Sequence, residues 1–163
     1  AWLELIADGH HVHPTVLKLC HRCAGDRLLL ITDAMRAAGM PDGHYRLGDY
    51  RVEMKNGVVR TATGGLAGST LTLLGAVRNM VHLAGVPLAE AIQMASLAPA
   101  RMLGIDDQLG SLAVGKRANL LALTPALYQQ HIWVAGREIT PASTPASFSE
   151  PDATQGAKES SCI

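Results

Sequence analysis

Arg27-Leu28-Leu29-Leu30-Ile31-Thr32-Asp33-Ala34-Met35 is the stretch on which the reading of this chain turns. Leu28 to Ile31 are four consecutive apolar residues, the pattern of a strand buried on both faces, as in parallel sheets. The run stops at Thr32-Asp33, which sets a carboxylate at the carboxyl end of the strand. In barrels and open α/β sheets that end carries the chemistry. A buried strand has no structural need of an Asp at its tip, so Asp33 is the first candidate catalytic residue. The competing use is a loop Asp that hydrogen-bonds its own backbone.

Upstream, Leu3-Glu4-Leu5-Ile6-Ala7 reads as a short strand ended by Asp8-Gly9. His10-His11-Val12-His13 follows, then Pro14 in the first turn of a helix running to about Ala24. Gly25-Asp26 closes that helix. Strand, polar loop, helix and strand make a βαβ unit, so the two strands are expected side by side and parallel. Cys20-His21-Arg22-Cys23 has redox spacing, but it falls well inside the helix rather than at its N-terminus. The two thiols are read as neighbours one helical turn apart.

Downstream the periodicity changes. Tyr45–Gly48 and Tyr50–Met54 alternate, and Lys55-Asn56-Gly57-Val58 supplies the Asn-Gly of a tight hairpin. Residues 43–61 are therefore expected to form a β insertion covering the active face of the scaffold. Thr63-Gly64-Gly65-Leu66-Ala67-Gly68-Ser69-Thr70 is a glycine-rich loop entering a helix of about Leu71 to Ala84, with Ser69 or Thr70 as its N-cap. Glycines let backbone N–H groups approach a ligand, and a helix N-terminus favours negative charge. Helices are expected over Leu88–Leu97 and Pro99–Leu103, where Ala91, Ile92 and Ala95 have spacing suited to close packing. Asn119–Leu123, Ile132–Val134 and an edge piece after Ala135-Gly136 read as a separate β layer. Residues 141–163, rich in Ser, Thr, Pro, Ala and Glu, are expected to be a disordered tail.

The chain has 163 residues, of which 48% are hydrophobic and 17% charged, enough for a core. Its 14 basic and 14 acidic residues cancel, which argues against nucleic acid or an anionic membrane as a required partner. No apolar run approaches the roughly 18 residues of a membrane span. The start has neither the basic region nor the apolar core of a signal peptide, and it opens without Met in an apolar segment, as a chain begun mid-domain would. Three cysteines do not make a disulfide framework, and a reducing compartment such as the cytoplasm is expected.

The polar loops after the two strands and the glycine loop suggest together a small substrate bearing phosphate or carboxylate, with Asp33 as acid/base. His11 and His13 could share one face of an extended segment and hold Zn²⁺, but no partner ligand stands at matching spacing. A single histidine contacting an anionic substrate is the preferred reading.

Further residues carry a resemblance. Leu5-Ile6-Ala7-Asp8-Gly9-His10-His11-Val12-His13, Thr32-Asp33-Ala34-Met35, Leu66-Ala67-Gly68-Ser69, Ala76-Val77-Arg78-Asn79, Met94-Ala95-Ser96, Pro99-Ala100 and the run from Gly110 to Leu120 occur in this order. The combination resembles the C-terminal part of the N-acetylglucosamine-6-phosphate deacetylases of the amidohydrolase superfamily, over about Leu3 to Ile139. The resemblance implies an α/β chain. Residues 1–109 would be the C-terminal part of a (β/α)₈ TIM-type barrel, and residues 110–140 strands of a small β-sandwich. It implies hydrolysis of the acetamide of N-acetylglucosamine 6-phosphate to glucosamine 6-phosphate and acetate. Asp33 then matches the catalytic general base and acid, His11 a histidine that holds the sugar phosphate, and Leu66, Ala67 and Gly68 a stretch that contacts substrate through its backbone. A divalent metal, zinc or similar, is implied as well, but its Glu and two His ligands precede the matched region, and His10 and His13 are not among them. A homodimer at full length is also implied, with an Arg reaching in from the neighbouring subunit. The rival expectations are that the isolated chain is catalytically inactive, or that it belongs to a sibling amidohydrolase acting on another N-acyl sugar.

Overall fold

The computed structural model describes residues 1–139, so the tail expected over 141–163 lies outside the described residues. Two strands, β1 (Leu3–Ile6) and β2 (Leu28–Ile31), are joined by the helix α1 (Pro14–Ala24) and a short 3₁₀ turn at Gly25–Arg27. The strands are parallel and in register from Leu3 beside Leu28 to Ile6 beside Ile31, as a βαβ unit requires. Leu28, Leu29 and Leu30 are all buried, whereas Glu4 on β1 is exposed. Among the described residues these two strands are a complete sheet, and each has an unpaired outer edge.

The main core lies between this sheet and the helices. It gathers Leu5 and Ala7 from β1 and its end, Leu17 from α1, Leu28 and Leu30 from β2, and Ala76, Val77, Met80 and Ala84 from α2 (Leu73–Ala84). Ala91 and Met94 of α3 (Leu88–Ala95) complete it. Ala95 packs against that core, but Ile92 is 41% exposed and takes no part in it. The helix α4 (Leu97–Leu103) begins two residues before Pro99. Proline is tolerated throughout a first turn, whose N–H groups lack intrahelical acceptors, so it marks a helix start only loosely. The break between α3 and α4 falls at Ser96, whose hydroxyl donates to the Ile92 carbonyl at 2.6 Å. Cys20 is half-buried and Cys23 exposed, both within α1 and both free thiols.

Strands β3 (Gly43–Leu47), β4 (Tyr50–Lys55) and β5 (Val58–Thr61) form an antiparallel sheet of their own. Asn56 and Gly57 both have positive φ, 51° and 73°, the backbone of the Asn-Gly hairpin turn. Val52, Met54 and Val59 point inward to a second core with Met35, Ala37 and Ala67. The insertion thus packs on the segment that leaves β2.

The last sheet, β6 (Leu120–Leu123), β7 (Gln129–Val134) and β8 (Arg137–Ile139), is antiparallel throughout. Its link to the helices is Arg78 of α2. The guanidinium donates twice to the Leu127 carbonyl, at 3.0 and 2.6 Å, and lies 4.6 Å from the centre of the Tyr128 ring. No helix among the described residues is long and apolar enough to cross a membrane.

Candidate active site

At the carboxyl end of β1 the chain turns on Asp8. Its Oδ1 accepts the backbone N–H groups of His10 and His11 at 2.9 and 2.8 Å, and its Oδ2 meets His11 Nδ1 at 2.7 Å. Burial pushes this carboxyl up, but the two backbone donors and the His11 ring outweigh it, so its pKa lies below the ordinary carboxylate value. The neighbouring histidines have different tasks. His13 caps α1, its Nδ1 accepting the Thr15 N–H at 3.2 Å. No group of three or more His, Cys, Asp or Glu capable of holding a metal ion occurs among the described residues.

At the carboxyl end of β2 stands Asp33. Its φ of +48° places a non-glycine residue in the left-handed region, where Asp is tolerated at some cost and where strain collects at functional sites. The local turn that could have explained this residue belongs to its neighbour: Thr32 Oγ1 accepts the Ala34 N–H at 3.3 Å. The Asp33 side chain is exposed and forms no ion pair among the described residues.

The glycine-rich loop holds this conformation in place. Ser69 N–H donates to the Asp33 carbonyl at 2.9 Å, Met35 N–H donates to the Ser69 carbonyl at 2.9 Å, and the Ser69 hydroxyl donates to the Thr32 carbonyl. Two more bonds tie the same loop to β5, Ala67 N–H to Val59 O at 3.1 Å and Thr61 N–H to Gly65 O at 2.8 Å. The segment is therefore a strap between the insertion and the Asp33 backbone. Neither Ser69 nor Thr70 caps α2. The cap is Thr72, which accepts the Gly75 N–H at 3.0 Å, because Ser69 is engaged by Thr32 and Thr70 donates to the Gly57 carbonyl at 2.5 Å.

A cavity of about 330 Å³ opens beside this strap. It is lined by Asp8 and His11 from the first loop, by Leu66 and Gly68 from the strap, and by Thr72 and Gly75 at the N-terminus of α2. His11 and two of the three strap residues matched by resemblance thus share one cavity. Ala67 is buried against the insertion core with its N–H given to the Val59 carbonyl, and neither it nor Asp33 lines the cavity; Asp33 borders the strap instead. Reading the sequence alone missed Asp8, which looked like punctuation after a strand. Its signal was an Asp followed by backbone donors two and three residues later, the pattern of an Asx turn. Asn79 is a second such residue: its Nδ2 donates to the Ala7 carbonyl at 2.8 Å and fixes the end of β1.

Gly68 is where close approach leaves no room. Its φ is +70°, and a Cβ there would stand 3.2 Å from the Asp33 carbonyl oxygen and 3.3 Å from Met35 Cβ. Gly64, φ +86°, would meet nothing within 4 Å. Both Gly→Ala changes incur the left-handed backbone cost of about 1–2 kcal/mol, and only Gly68→Ala adds the clash. Urea unfolding should therefore show Gly68→Ala as the more damaging of the pair, with faster exchange of the Ser69 amide. Equal costs would mean that the Asp33–Gly68 packing is unimportant.

Comparison with known proteins places these features in company. The amidohydrolase family model matches residues 3–152. An N-acetylgalactosamine-6-phosphate deacetylase of Escherichia coli O157:H7 is 65% identical over 137 residues, covering 84% of this chain and 36% of that protein. The N-acetylglucosamine-6-phosphate deacetylase of Vibrio furnissii is 55% identical over 143 residues, 88% of this chain and 36% of its own length. A related sequence of Escherichia coli K12, 65% identical over 137 residues, is covered to 82%. Among solved structures, N-acetyl-D-glucosamine-6-phosphate deacetylase of Mycobacterium smegmatis, in complex with N-acetyl-D-glucosamine-6-phosphate, superimposes with a TM-score of 0.79. The two are 39% identical, over 85% of this chain and 37% of that one. The chain thus spans a little over a third of most of these relatives.

Proposed function

The chain belongs to the amidohydrolase family, and from that premise we propose that the whole protein hydrolyses the acetamide of N-acetylglucosamine 6-phosphate. The products are glucosamine 6-phosphate and acetate, in cytoplasmic amino-sugar metabolism. In this reading residues 1–109 are the C-terminal part of a (β/α)₈ barrel and residues 110–140 part of a β-sandwich. The full-length enzyme works as a homodimer.

The observation that carries the reading is Asp33, a carboxylate with no ion-pair partner among the described residues, on a left-handed backbone at a strand's carboxyl end. That backbone is tied to the strap beside a cavity that also holds His11. As general base Asp33 takes a proton from the attacking water, and as general acid it returns the proton to the departing amine nitrogen. The sugar phosphate is directed to the cavity wall made by the N-terminus of α2, where the helix dipole favours negative charge. Leu66, Ala67 and Gly68 offer backbone to the substrate, and His11 offers its ring.

The family uses a divalent metal, but the described residues do not fit one: they contain no group of three or more potential ligands. Its ligands would be supplied by the part of the longer relatives outside the match.

A second reading has its own support. The 65%-identical Escherichia coli O157:H7 relative is named for the galactosamine epimer, so the second reading is the same hydrolysis on the sugar with the opposite C4 configuration. The test is acetate release by the complete gene product from the gluco and galacto epimers, each with and without the 6-phosphate. Hydrolysis confined to phosphorylated sugars is expected, and the ratio of kcat/KM between epimers assigns the preferred sugar. Faster turnover of the unphosphorylated sugars would overturn the phosphate reading.

A further inference from the structure

We propose that Asp8 is a positioning residue for His11, fixing the ring so that Nε2 is the atom offered to the substrate, as a hydrogen-bond acceptor. This inference rests on the reading of His11 as a substrate contact and adds to it which nitrogen acts and in what sense.

The anchor begins in the core. Ala7 is fully buried, and its carbonyl is held by Asn79 of α2. Gly9, at φ +78°, turns the chain sharply past Leu83, where a Cβ would stand 3.3 Å from Leu83 Cδ1. Asp8 sits between these two fixed residues with an 11% exposed side chain, and it spends one oxygen on the loop backbone and the other on the His11 ring. A carboxylate in contact with Nδ1 requires the proton on that nitrogen, which fixes the tautomer and orientation of the ring. Nε2 is then left without a proton in the neutral ring. The His11 side chain is 20% exposed and borders the cavity, so a ligand can reach it.

This restricts what His11 can recognise. A bare Nε2 accepts a hydrogen bond and cannot give one. It pairs with a sugar hydroxyl or the acetamide N–H and is repelled by a phosphate or carbonyl oxygen. On this reading His11 recognises a neutral donor group of the substrate.

Nuclear magnetic resonance of the full chain tests this directly. Long-range ¹H–¹⁵N correlations of the imidazoles, recorded at about pH 8, should show His11 protonated at Nδ1 and bare at Nε2. Protonation at Nε2 alone, or at both nitrogens, would overturn the proposal without need of any variant. In Asp8→Asn the amide can donate as well as accept, so a mixture of tautomers is expected. Affinity for N-acetylglucosamine 6-phosphate, titrated into the same samples, should fall about tenfold or more, with far-ultraviolet circular dichroism unchanged. An unaltered tautomer in a folded Asp8→Asn protein would refute the positioning role. A lost tautomer preference, with His11→Asn leaving sugar-phosphate binding intact, would instead sustain that role and refute His11 as a substrate contact.

Discussion

Asp33→Asn is expected to reduce turnover by about 10²–10⁴-fold, the usual worth of a general acid–base group, with substrate affinity nearly unchanged. The substitution is close to isosteric and removes only the capacity to take and return a proton. It should also leave the fold alone. The Asp33 side chain is exposed and without an ionic partner among the described residues, and the structural bonds at this position are made by its carbonyl. Asn tolerates the left-handed region about as well as Asp. The measurement is single-turnover hydrolysis by the complete gene product, alongside equilibrium binding and the urea midpoint of each form. Retained turnover would remove Asp33 from the mechanism. A large fall in stability with turnover lost in proportion would make it a structural residue.

Leu17→Ala should cost about 2–5 kcal/mol, a large share of the roughly 5–15 kcal/mol that holds a typical domain together. Leu17 is wholly buried, on the face of α1 that meets the β1–β2 sheet and α2. Alanine is the better helix former, so none of the loss can be assigned to the helix itself. Leu19, two residues on and 58% exposed, is the internal control: Leu19→Ala should change stability by about 0.5 kcal/mol or less. Urea midpoints of the two variants at equal m-value decide the matter. Similar losses at both positions would mean that α1 buries its other face in solution, against a second copy or some other surface.

The parts of the fold that could be read from the sequence are those whose signals are local. Leu28–Ile31, Pro14 and the Asn56-Gly57 pair carry their instructions within a few residues, and the βαβ unit and the hairpin follow from them. Errors arose where a distant contact overrode a local preference. Ser69 has the side chain of an N-cap, but its hydroxyl is engaged by a carbonyl 37 residues away, and the helix starts later at Thr72. The first half of β7, Gln129-Gln130-His131, is polar and exposed, so no hydrophobic pattern announces it. At the site, Asp33 was legible because a carboxylate after four apolar residues is chemically out of place. Asp8 was not, because Asp before Gly is ordinary turn chemistry until its bonds to His11 are seen.

The strap that presents backbone beside Asp33 bears on how this sequence is free to drift. Ala67 takes part through its N–H, bonded to the Val59 carbonyl, while its methyl group is buried in the core of the insertion. Selection at that position therefore acts on volume and not on chemical character: a small side chain of another kind is admissible, a large one is not. At Gly68 the reverse holds, since the constraint is the absence of any side chain at all. Two adjacent residues of one strap thus evolve under different rules, one governed by the packing behind it and the other by the carbonyl in front.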